Sequence, residues 1–290
     1  MLENKKNNQI KAGLYIVATP IGNLEDITFR ALEVLRNSNY ILCEDTRHSI
    51  KILNHYKIKT KLVAFHQHNE TKNLVKIFND IKEGKVISLI SDAGTPLISD
   101  PGETIVKKAR EEGLNVTPIP GPSAAIASVS VAGFDAKFYF YGFLSKKNNI
   151  RKTELETLSE LSCTIVLYVP ARDLKKTLKD LSIYLPAREV FVAREITKIH
   201  ETYYKGYPDD LLDKVDKQSE KGEITIVISN KSVELKNNSD ETSNLNKEIK
   251  LLINKMSSKD IAEYLSNKMN ISKKIIYQNI LKLNSWKKKF

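Results

Sequence analysis

Cysteine, tryptophan and long apolar runs are scarce in this chain of 290 residues. It has two cysteines and one tryptophan. Cys43 and Cys163 sit in apolar runs without a partner motif, so we expect reduced, buried thiols rather than a disulfide framework. No apolar run approaches the roughly 20 residues needed to cross a bilayer. The start, Met1 to Lys11, is polar and lacks the apolar stretch of a signal peptide. These absences predict a cytoplasmic protein that does not enter a membrane.

Several motifs of well-known sites are also missing. The chain contains neither G-x-x-x-x-G-K-[ST] nor G-x-G-x-x-G, which argues against a standard phosphate cradle and against a Rossmann dinucleotide site. No Ser-His-Asp set or Cys-His pair indicates a nucleophile. His66 and His68 would share one face of a strand, but no further cluster completes a metal shell, so no metal site is predicted.

Positive charge is present in excess and is unevenly distributed. The net charge is +11, and residues 231–290 carry 13 basic and 6 acidic side chains. Residues 1–123 carry 17 and 14, and residues 124–230 carry 16 and 15. A basic end on near-neutral domains favours a nucleic-acid partner. Because lysine is plentiful throughout, compositional drift remains an equal alternative.

Apolar periodicity divides the chain into parts. Short β-rich runs alternate with helical patterns, which predicts an α/β fold whose first sheet is mostly parallel and covered on both faces. The second sheet is expected to contain more antiparallel pairing. The predicted organisation has an N-terminal α/β domain at 12–123, a second α/β domain at 124–230, a linker at 231–247 and a basic helical appendage at 248–290.

Three turn-rich loops follow predicted strands in the first half of the chain. They are Thr19–Leu24, Ser91–Gly102 and Pro120–Ala124. In open α/β sheets, ligands bind beyond the carboxyl ends of the strands, so these loops predict one small-molecule site. Asp92 and Asp100 frame the central loop, where a carboxylate could hold a cationic group or a hydroxyl, or cap the helix that begins near Glu103.

Two charged segments leave predicted strands. Glu44-Asp45-Thr46-Arg47 offers mixed charge at the same sheet edge, and its structural alternative is a helix N-cap with a local ion pair. Residues 194–201 form a similar exit from a strand of the second domain, with Glu195 and Lys198 among its charges.

These residues together resemble the tetrapyrrole methylase superfamily over residues 12–230. The resemblance rests on the ordered set of motifs: Val17 to Asp26, Glu44 to Arg47, His68-Asn69-Glu70, Ser91 to Gly102, Pro120 to Ala124, Gly142-Phe143-Leu144, Arg194 to Lys198 and Lys221-Gly222-Glu223. Two segments depart from the family pattern. Ser145 replaces the proline of Gly-Phe-Leu-Pro, and Tyr168 to Asp173 replaces a Tyr-Glu-x-Pro-His-Arg-like segment.

The resemblance implies two α/β domains with S-adenosylmethionine in the cleft between them, a small helical C-terminal region and a homodimer. The similar members methylate the ribose 2′-hydroxyl of a cytidine in 16S rRNA, so the expected partner is 16S rRNA or the small ribosomal subunit. Donor contacts are expected at Pro20, Gly22, Asp92, Ala93, Gly94, Thr95, Pro96, Leu97, Ile98, Ser123, Ala124 and Tyr168.

The catalytic candidates are Asp45, Glu195 and Lys198 for deprotonating the hydroxyl and Arg47 for holding a phosphate. Two alternatives stay open. One is a small-molecule methylase acting on a tetrapyrrole precursor, and the other is a non-catalytic RNA-binding protein.

Overall fold

The computed structural model describes residues 10–66, 70–215, 222–230, 239–252 and 256–269, together with residues 273, 276, 279 and 280. Gln67, His68 and Asn69 lie outside these residues, as do Lys221 and Ser272. The chain divides into two compact units, residues 1–232 and residues 233–290.

The first sheet of the larger unit is entirely parallel. Its strand order is β3-β2-β4-β1-β5, and each adjacent pair runs in the same direction. The strands are β1 (Gly13–Val17), β2 (Tyr40–Cys43), β3 (Leu62–Ala64), β4 (Val86–Leu89) and β5 (Val116–Ile119). The connecting helices are α1 (Phe29–Asn37), α2 (Thr46–His55), α3 (Glu70–Lys82) and α4 (Glu103–Glu111).

This sheet is buried on both faces, which explains its nearly continuous apolar strands. On one face Leu14 and Ile87 pack with α3 and α4, and on the other Tyr15 and Ile41 pack with α1 and α2. The predicted parallel sheet is thereby confirmed.

The second sheet has the order β6-β7-β10-β8-β9, with one parallel pair, β6 and β7, and antiparallel pairing elsewhere. Its strands are β6 (Phe138–Phe143), β7 (Thr164–Pro170), β8 (Val190–Arg194), β9 (Thr202–Gly206) and β10 (Glu223–Ile228). The helices around it are α5 (Ala124–Ala132), α6 (Asn148–Glu160), α7 (Leu174–Tyr184) and α8 (Pro208–Lys214). The expected antiparallel pairing is confirmed, but β9 was not predicted, because its Thr-Tyr-Tyr-Lys-Gly sequence carries little apolar signal.

Helix α5 links the first sheet to the second along the chain, and its packing explains why it is rich in small residues. Its small residues Ala125 and Ala132 are buried against Val166, Phe191 and Val227 of the second sheet. Small side chains let the helix lie close to the strands. The opposite face of the same sheet is covered by α6, α7 and α8. Both sheets lie within the predicted ranges 12–123 and 124–230, whose boundaries themselves stay a prediction.

The smaller unit contains α9 (Ser239–Leu252) and α10 (Ser258–Met269). Leu245 and Ile249 of α9 are buried with Ile261 and Leu265 of α10, and Ile276 and Ile280 join the same cluster. Helix α9 overlaps the predicted linker at 231–247 from Ser239 onward, and the bounds of that linker stay a prediction. Two apolar residues four apart suffice to anchor a polar helix once a partner helix is present.

Two further expectations concern thiols and membranes. Cys43 is buried, but Cys163 is only partly so, and both are free. Within the part of the chain that the structure describes, no helix is long and apolar enough to cross a bilayer.

Candidate active site

Three loops converge beyond the carboxyl ends of β1, β4 and β5. The backbone amide of Thr19 donates to the carbonyl of Gly94 at 2.8 Å, and the Gly94 amide donates back at 3.0 Å. The Thr95 hydroxyl donates to the carbonyl of Pro122 at 3.1 Å. A Cβ on Gly121 would lie 2.9 Å from the Ala18 Cβ, so glycine permits the close approach of the first and third loops. The loops predicted to form one site are brought together.

A cavity of about 390 Å³ lies between these loops and the second sheet, a size within the range of small-molecule sites. Its lining comes from both halves of the larger unit: Ile21, Asp92, Ala93, Gly94, Thr95, Ile98, Ser99, Asp100, Ser123, Ala124, Phe143, Tyr168, Val169, Pro170, Ala193, Ile196, Gly222, Glu223, Ile224 and Thr225.

Two carboxylates on the first wall are in unusual environments. The Oδ1 atom of Asp92 is buried and has no hydrogen-bond partner among the residues that the structure describes. Burial raises the pKa of Asp100 to about 6, with further raising by Glu44 and Asp92 and an opposing hydrogen bond from Ser91. The alternative that Asp100 caps α4 is wrong, because the N-cap residue of this helix is Gly102. A buried carboxylate without a partner points to a ligand group that supplies one.

The backbone of the same wall is strained. Leu97 and Ser99 adopt positive φ values of 73° and 68° without being glycines. Across the cavity Glu195 and Thr197 do the same, at 54° and 67°. Such conformations cost about 1–3 kcal/mol each and concentrate at functional sites. Their presence on both sides of one cavity supports its assignment as the functional site.

The second wall is formed beside α5, where β7 and β8 end and β10 begins. Burial raises the pKa of Tyr168, whose hydroxyl interacts with Ser123 and with the backbone of Ala125. The Tyr168 ring lies 5.0 Å from that of Phe140 and 5.5 Å from that of Phe143. Tyr168 therefore fixes the start of α5 to the second sheet.

Gly222 directly precedes β10 and lets the start of this strand approach the loop after β8. Its φ is +96°, and an added Cβ would overlap the Glu195 carboxylate. The amide of Glu223 donates to Glu195 Oε1 at 2.8 Å, and the Glu195 amide donates to the Glu223 carbonyl at 2.9 Å. These two hydrogen bonds hold the loop after β8 against the start of β10, beside the cavity.

Residues 13–211 match the family of Tetrapyrrole (Corrin/Porphyrin) Methylases, which is more than half of the chain. The chain belongs to the tetrapyrrole methylase family.

Relatives with curated names make the same assignment more specific. The chain is 44% identical over 219 residues to "Ribosomal RNA small subunit methyltransferase I" of Thermotoga maritima, covering 75% of this chain and 98% of the relative. It is 37% identical over 269 residues to the protein of the same name from Bacillus subtilis, covering 91% and 92%. The resemblance predicted from motifs is confirmed.

A solved structure shares the fold of this tetrapyrrole methylase. A cobalt precorrin-4 methyltransferase of cobalamin biosynthesis aligns with a TM-score of 0.57 at 18% identity, covering 74% of this chain and 94% of that one. At this identity the likeness shows the fold alone, and it confirms the predicted architecture of two α/β domains.

The donor contacts predicted for this tetrapyrrole methylase fall into two groups. Eight of them line the cavity: Asp92, Ala93, Gly94, Thr95, Ile98, Ser123, Ala124 and Tyr168. Pro20, Gly22, Pro96 and Leu97 are not among its lining residues. Leu97 packs instead toward the core of the first sheet, and Gly22 lies against Thr197 and Lys198. Whether any of them contacts the donor stays a prediction.

Asp45 and Arg47 form a local ion pair at the start of α2. Asp45 is the N-cap and accepts from the Arg47 amide at 2.8 Å, while Arg47 Nη2 donates to Asp45 Oδ2 at 2.8 Å. These hydrogen bonds lower the pKa of Asp45 to about 2. Neither residue lines the cavity. The geometry is that of the structural alternative, and a carboxylate of such low basicity is a poor proton acceptor.

Glu195 and Lys198 also hold structure together. Lys198 Nζ lies 2.9 Å from Glu195 Oε1 and 3.2 Å from Glu223 Oε2, and neither Glu195 nor Lys198 lines the cavity. Hydrogen bonds from Lys198 and from the Glu223 backbone offset burial and lower the pKa of Glu195. The observed contacts support the loop after β8.

Sequence reasoning missed most of the second wall. Pro170, Ala193, Ile196 and residues 222–225 line the cavity, yet of these only Ile196, Gly222 and Glu223 fell within a quoted motif. Strand ends of mainly apolar sequence carry no chemical signature. Of the described residues, no group of three or more His, Cys, Asp and Glu side chains is arranged to hold a metal ion.

Proposed function

We propose that this protein transfers a methyl group from S-adenosylmethionine to the ribose 2′-hydroxyl of a cytidine in 16S rRNA. The observation that carries the proposal is the 44% identity to a protein named ribosomal RNA small subunit methyltransferase I over 98% of that protein's length. A cavity between the two sheets, lined by a carboxylate oxygen that has no hydrogen-bond partner among the described residues, supports it.

The side chains that line the cavity match the chemical groups of S-adenosylmethionine. Asp92 offers a buried carboxylate oxygen to an ammonium group or a ribose hydroxyl, and Thr95 and Ser123 add hydroxyls to the lining. Ala93, Ala193, Ile196 and Ile224 give the apolar surface that a purine requires. Polar groups placed among apolar walls are typical of sites that fix a ligand's orientation.

When bound, the sulfonium supplies an already activated methyl group for an in-line displacement by the acceptor oxygen. The protein must therefore align oxygen, carbon and sulfur, and alignment accounts for much of the acceleration in such reactions. Strained loops on both sides of the cavity favour this positioning role.

The acceptor hydroxyl must also lose its proton, and we assign Asp100 as the proton acceptor in place of Asp45, Glu195 and Lys198. Asp100 lines the cavity, and the raised pKa of about 6 makes its carboxylate more basic than an ordinary one while leaving it ionised at neutral pH. Catalytic bases work best with a pKa close to the operating pH.

The proposal is tested by donor binding and by mapping. Calorimetry with S-adenosylmethionine should show one site per chain, and ribose-methylation mapping of rRNA from a deletion strain should show one lost 2′-O-methyl cytidine in 16S rRNA. Binding without any change in rRNA methylation would favour a small-molecule methylase. No heat at millimolar donor would leave an RNA-binding protein and would overturn the proposal.

A homodimer is part of the same proposal. Ile126 and Val131 of α5 and Tyr139 of β6 are exposed, which leaves apolar surface for a second copy to cover. Sedimentation velocity at micromolar concentration should give the mass of two chains, and a single-chain mass would remove the dimer.

A further inference from the structure

A second cavity of about 470 Å³ opens beside the first. It lies where β6 and β7 end and where α6 and α7 begin. Phe143, Tyr168, Val169 and Pro170 line both cavities. A group held in the second cavity would thus be adjacent to the proposed donor site.

Cations without ion-pair partners surround this second cavity. Lys146, Arg172 and Lys176 line it and are exposed. Lys176 Nζ donates to Asn148 Oδ1 at 3.1 Å, and none of the three cations forms a salt bridge with any carboxylate among the described residues. The one carboxylate in the lining is Asp173. The cavity therefore carries a net positive charge.

Three other cations of the larger unit are engaged in ion pairs. Arg47 pairs with Asp45 at 2.8 Å, and Lys198 pairs with Glu195 at 2.9 Å. Arg151, which also lines the second cavity, is buried and donates to Asp180 Oδ2 at 2.6 Å. A polyanion approaching the donor site would find its available counter-charge at Lys146, Arg172 and Lys176.

An exposed aromatic ring, that of Phe143, lines both cavities. The Phe143 side chain is 53% exposed although its neighbour Tyr168 holds it at 5.5 Å. Unpaired bases stack on such rings, with about 1–3 kcal/mol per base. Exposed cations and an exposed aromatic ring in the lining of one cavity match a single nucleotide and its phosphate.

We propose that the second cavity, lined by Lys146, Arg172 and Lys176, binds a backbone phosphate next to the target nucleotide of the acceptor RNA, whose base stacks on Phe143. This inference rests on the proposed function and adds the position of the acceptor strand. The proposed donor carries no phosphate, and its single carboxylate could neutralise the charge of only one cation. Three unpaired cations therefore point to a second, phosphate-bearing ligand.

The test compares two triple variants with equal loss of charge. Lys146→Gln/Arg172→Gln/Lys176→Gln removes the cavity cations, and Lys107→Gln/Lys179→Gln/Lys214→Gln removes three exposed lysines that line neither cavity. Methyl transfer to small ribosomal subunits and to free 16S rRNA is measured at several salt concentrations, and donor affinity is measured by calorimetry.

For the cavity variant we expect a KM for RNA raised at least tenfold, an unchanged donor Kd, and a log–log salt slope smaller by about 0.7, the contribution of one single-strand phosphate. The control variant should stay within about twofold of wild type. Phe143→Leu should raise the KM for RNA independently of salt.

The outcomes separate the two proposals. If wild-type protein methylates rRNA and the cavity variant behaves like the control, the phosphate site is wrong while the function stands. An equal loss of donor binding in the cavity variant would also overturn it, because the cations would then serve the donor. If wild-type protein transfers no methyl group to rRNA, the proposed function itself fails.

Discussion

At the scale of single residues, the carboxyl group of Asp100 makes the free energy of unfolding depend on pH. Burial raises its pKa from 3.8 to about 6. Between about pH 4 and pH 6 the folded protein therefore retains a proton that the unfolded chain releases, and the free energy of unfolding falls as pH rises through this window.

The first prediction concerns Asp100→Asn. We expect turnover to fall by on the order of 10²-fold or more, with the donor Kd nearly unchanged, because a proton acceptor is lost. The wild-type rate should rise with pH to a plateau above about pH 6, and the variant should lack this rise. Denaturant titrations should show the variant gaining stability relative to wild type from about pH 4 to pH 6. A variant with full turnover and an unchanged pH profile would remove Asp100 from catalysis.

The second prediction concerns the unpartnered carboxylate of Asp92. Asp92→Asn should weaken donor binding by roughly tenfold, since a hydrogen bond involving a charged group is worth about 1.5–3 kcal/mol. The ligand-free protein should keep its stability, because the buried Oδ1 atom makes no hydrogen bond among the described residues that the change would remove.

Its control is Asp213→Asn, which removes one negative charge from an exposed position of α8. Calorimetry and thermal unfolding measure both effects. Parallel loss of affinity and of stability in Asp92→Asn would indicate a structural role instead.

At the scale of elements, the site depends on the junction between the loops after β1 and β4. Gly94 has a φ of +78°, and an added Cβ would lie 3.3 Å from Ile21 Cγ2. Both Gly94 and Ile21 line the donor cavity. A small displacement of this junction would therefore move residues that line the cavity and weaken the binding of a ligand there.

The third prediction compares two glycine variants. Gly94→Ala and Gly84→Ala both place a side chain at positive φ, and the space around Gly84 is open. Each should lose about 1–2 kcal/mol of stability from backbone strain. Only Gly94→Ala should also weaken donor binding, severalfold, as measured by calorimetry. Equal donor affinity in the two variants would contradict the role given to the loop junction.

Prediction from sequence succeeded where local pattern determines structure. The apolar run at Tyr40–Cys43 corresponds to a strand with those bounds, because a buried parallel strand must be apolar on both faces. Val116–Ile119 also matches its strand, which lies at the edge of the sheet with Pro118 exposed. The three loops were located for the same reason, since turn residues directly follow such runs.

It failed where structure depends on distant pairing. Strand β10 lies between β7 and β8, which brings Gly222 and Glu223 to the cavity, and nothing local in the sequence states that order. The charged residues chosen as catalytic, Asp45 and Glu195 among them, pair with their neighbours. Asp100 acquired its raised pKa from burial, which depends on packing between elements.

At the scale of the whole molecule, the chain joins a methylase body to a second unit of different character. Both sheets lie in residues 1–232, and residues 233–290 form the other unit. The Thermotoga maritima relative aligns over 98% of its own length with 75% of this chain, so about a quarter of this chain has no counterpart there. The aligned 219 residues are close to the span from β1 to β10. The cavity lies wholly within the larger unit.

The last prediction concerns removal of that unit. Truncation after Ser232 leaves α9 undivided, whereas a cut at residue 245 would divide the helix Ser239–Leu252. The removed residues 233–290 hold 12 basic and 6 acidic side chains, so we expect the truncated protein to bind 16S rRNA more weakly and with a flatter salt dependence. Calorimetry should give an unchanged donor Kd, because every residue lining the cavity is retained. Unchanged RNA affinity at every salt concentration would assign these helices a packing role, and the cations beside the donor cavity would then carry the recognition of the RNA backbone.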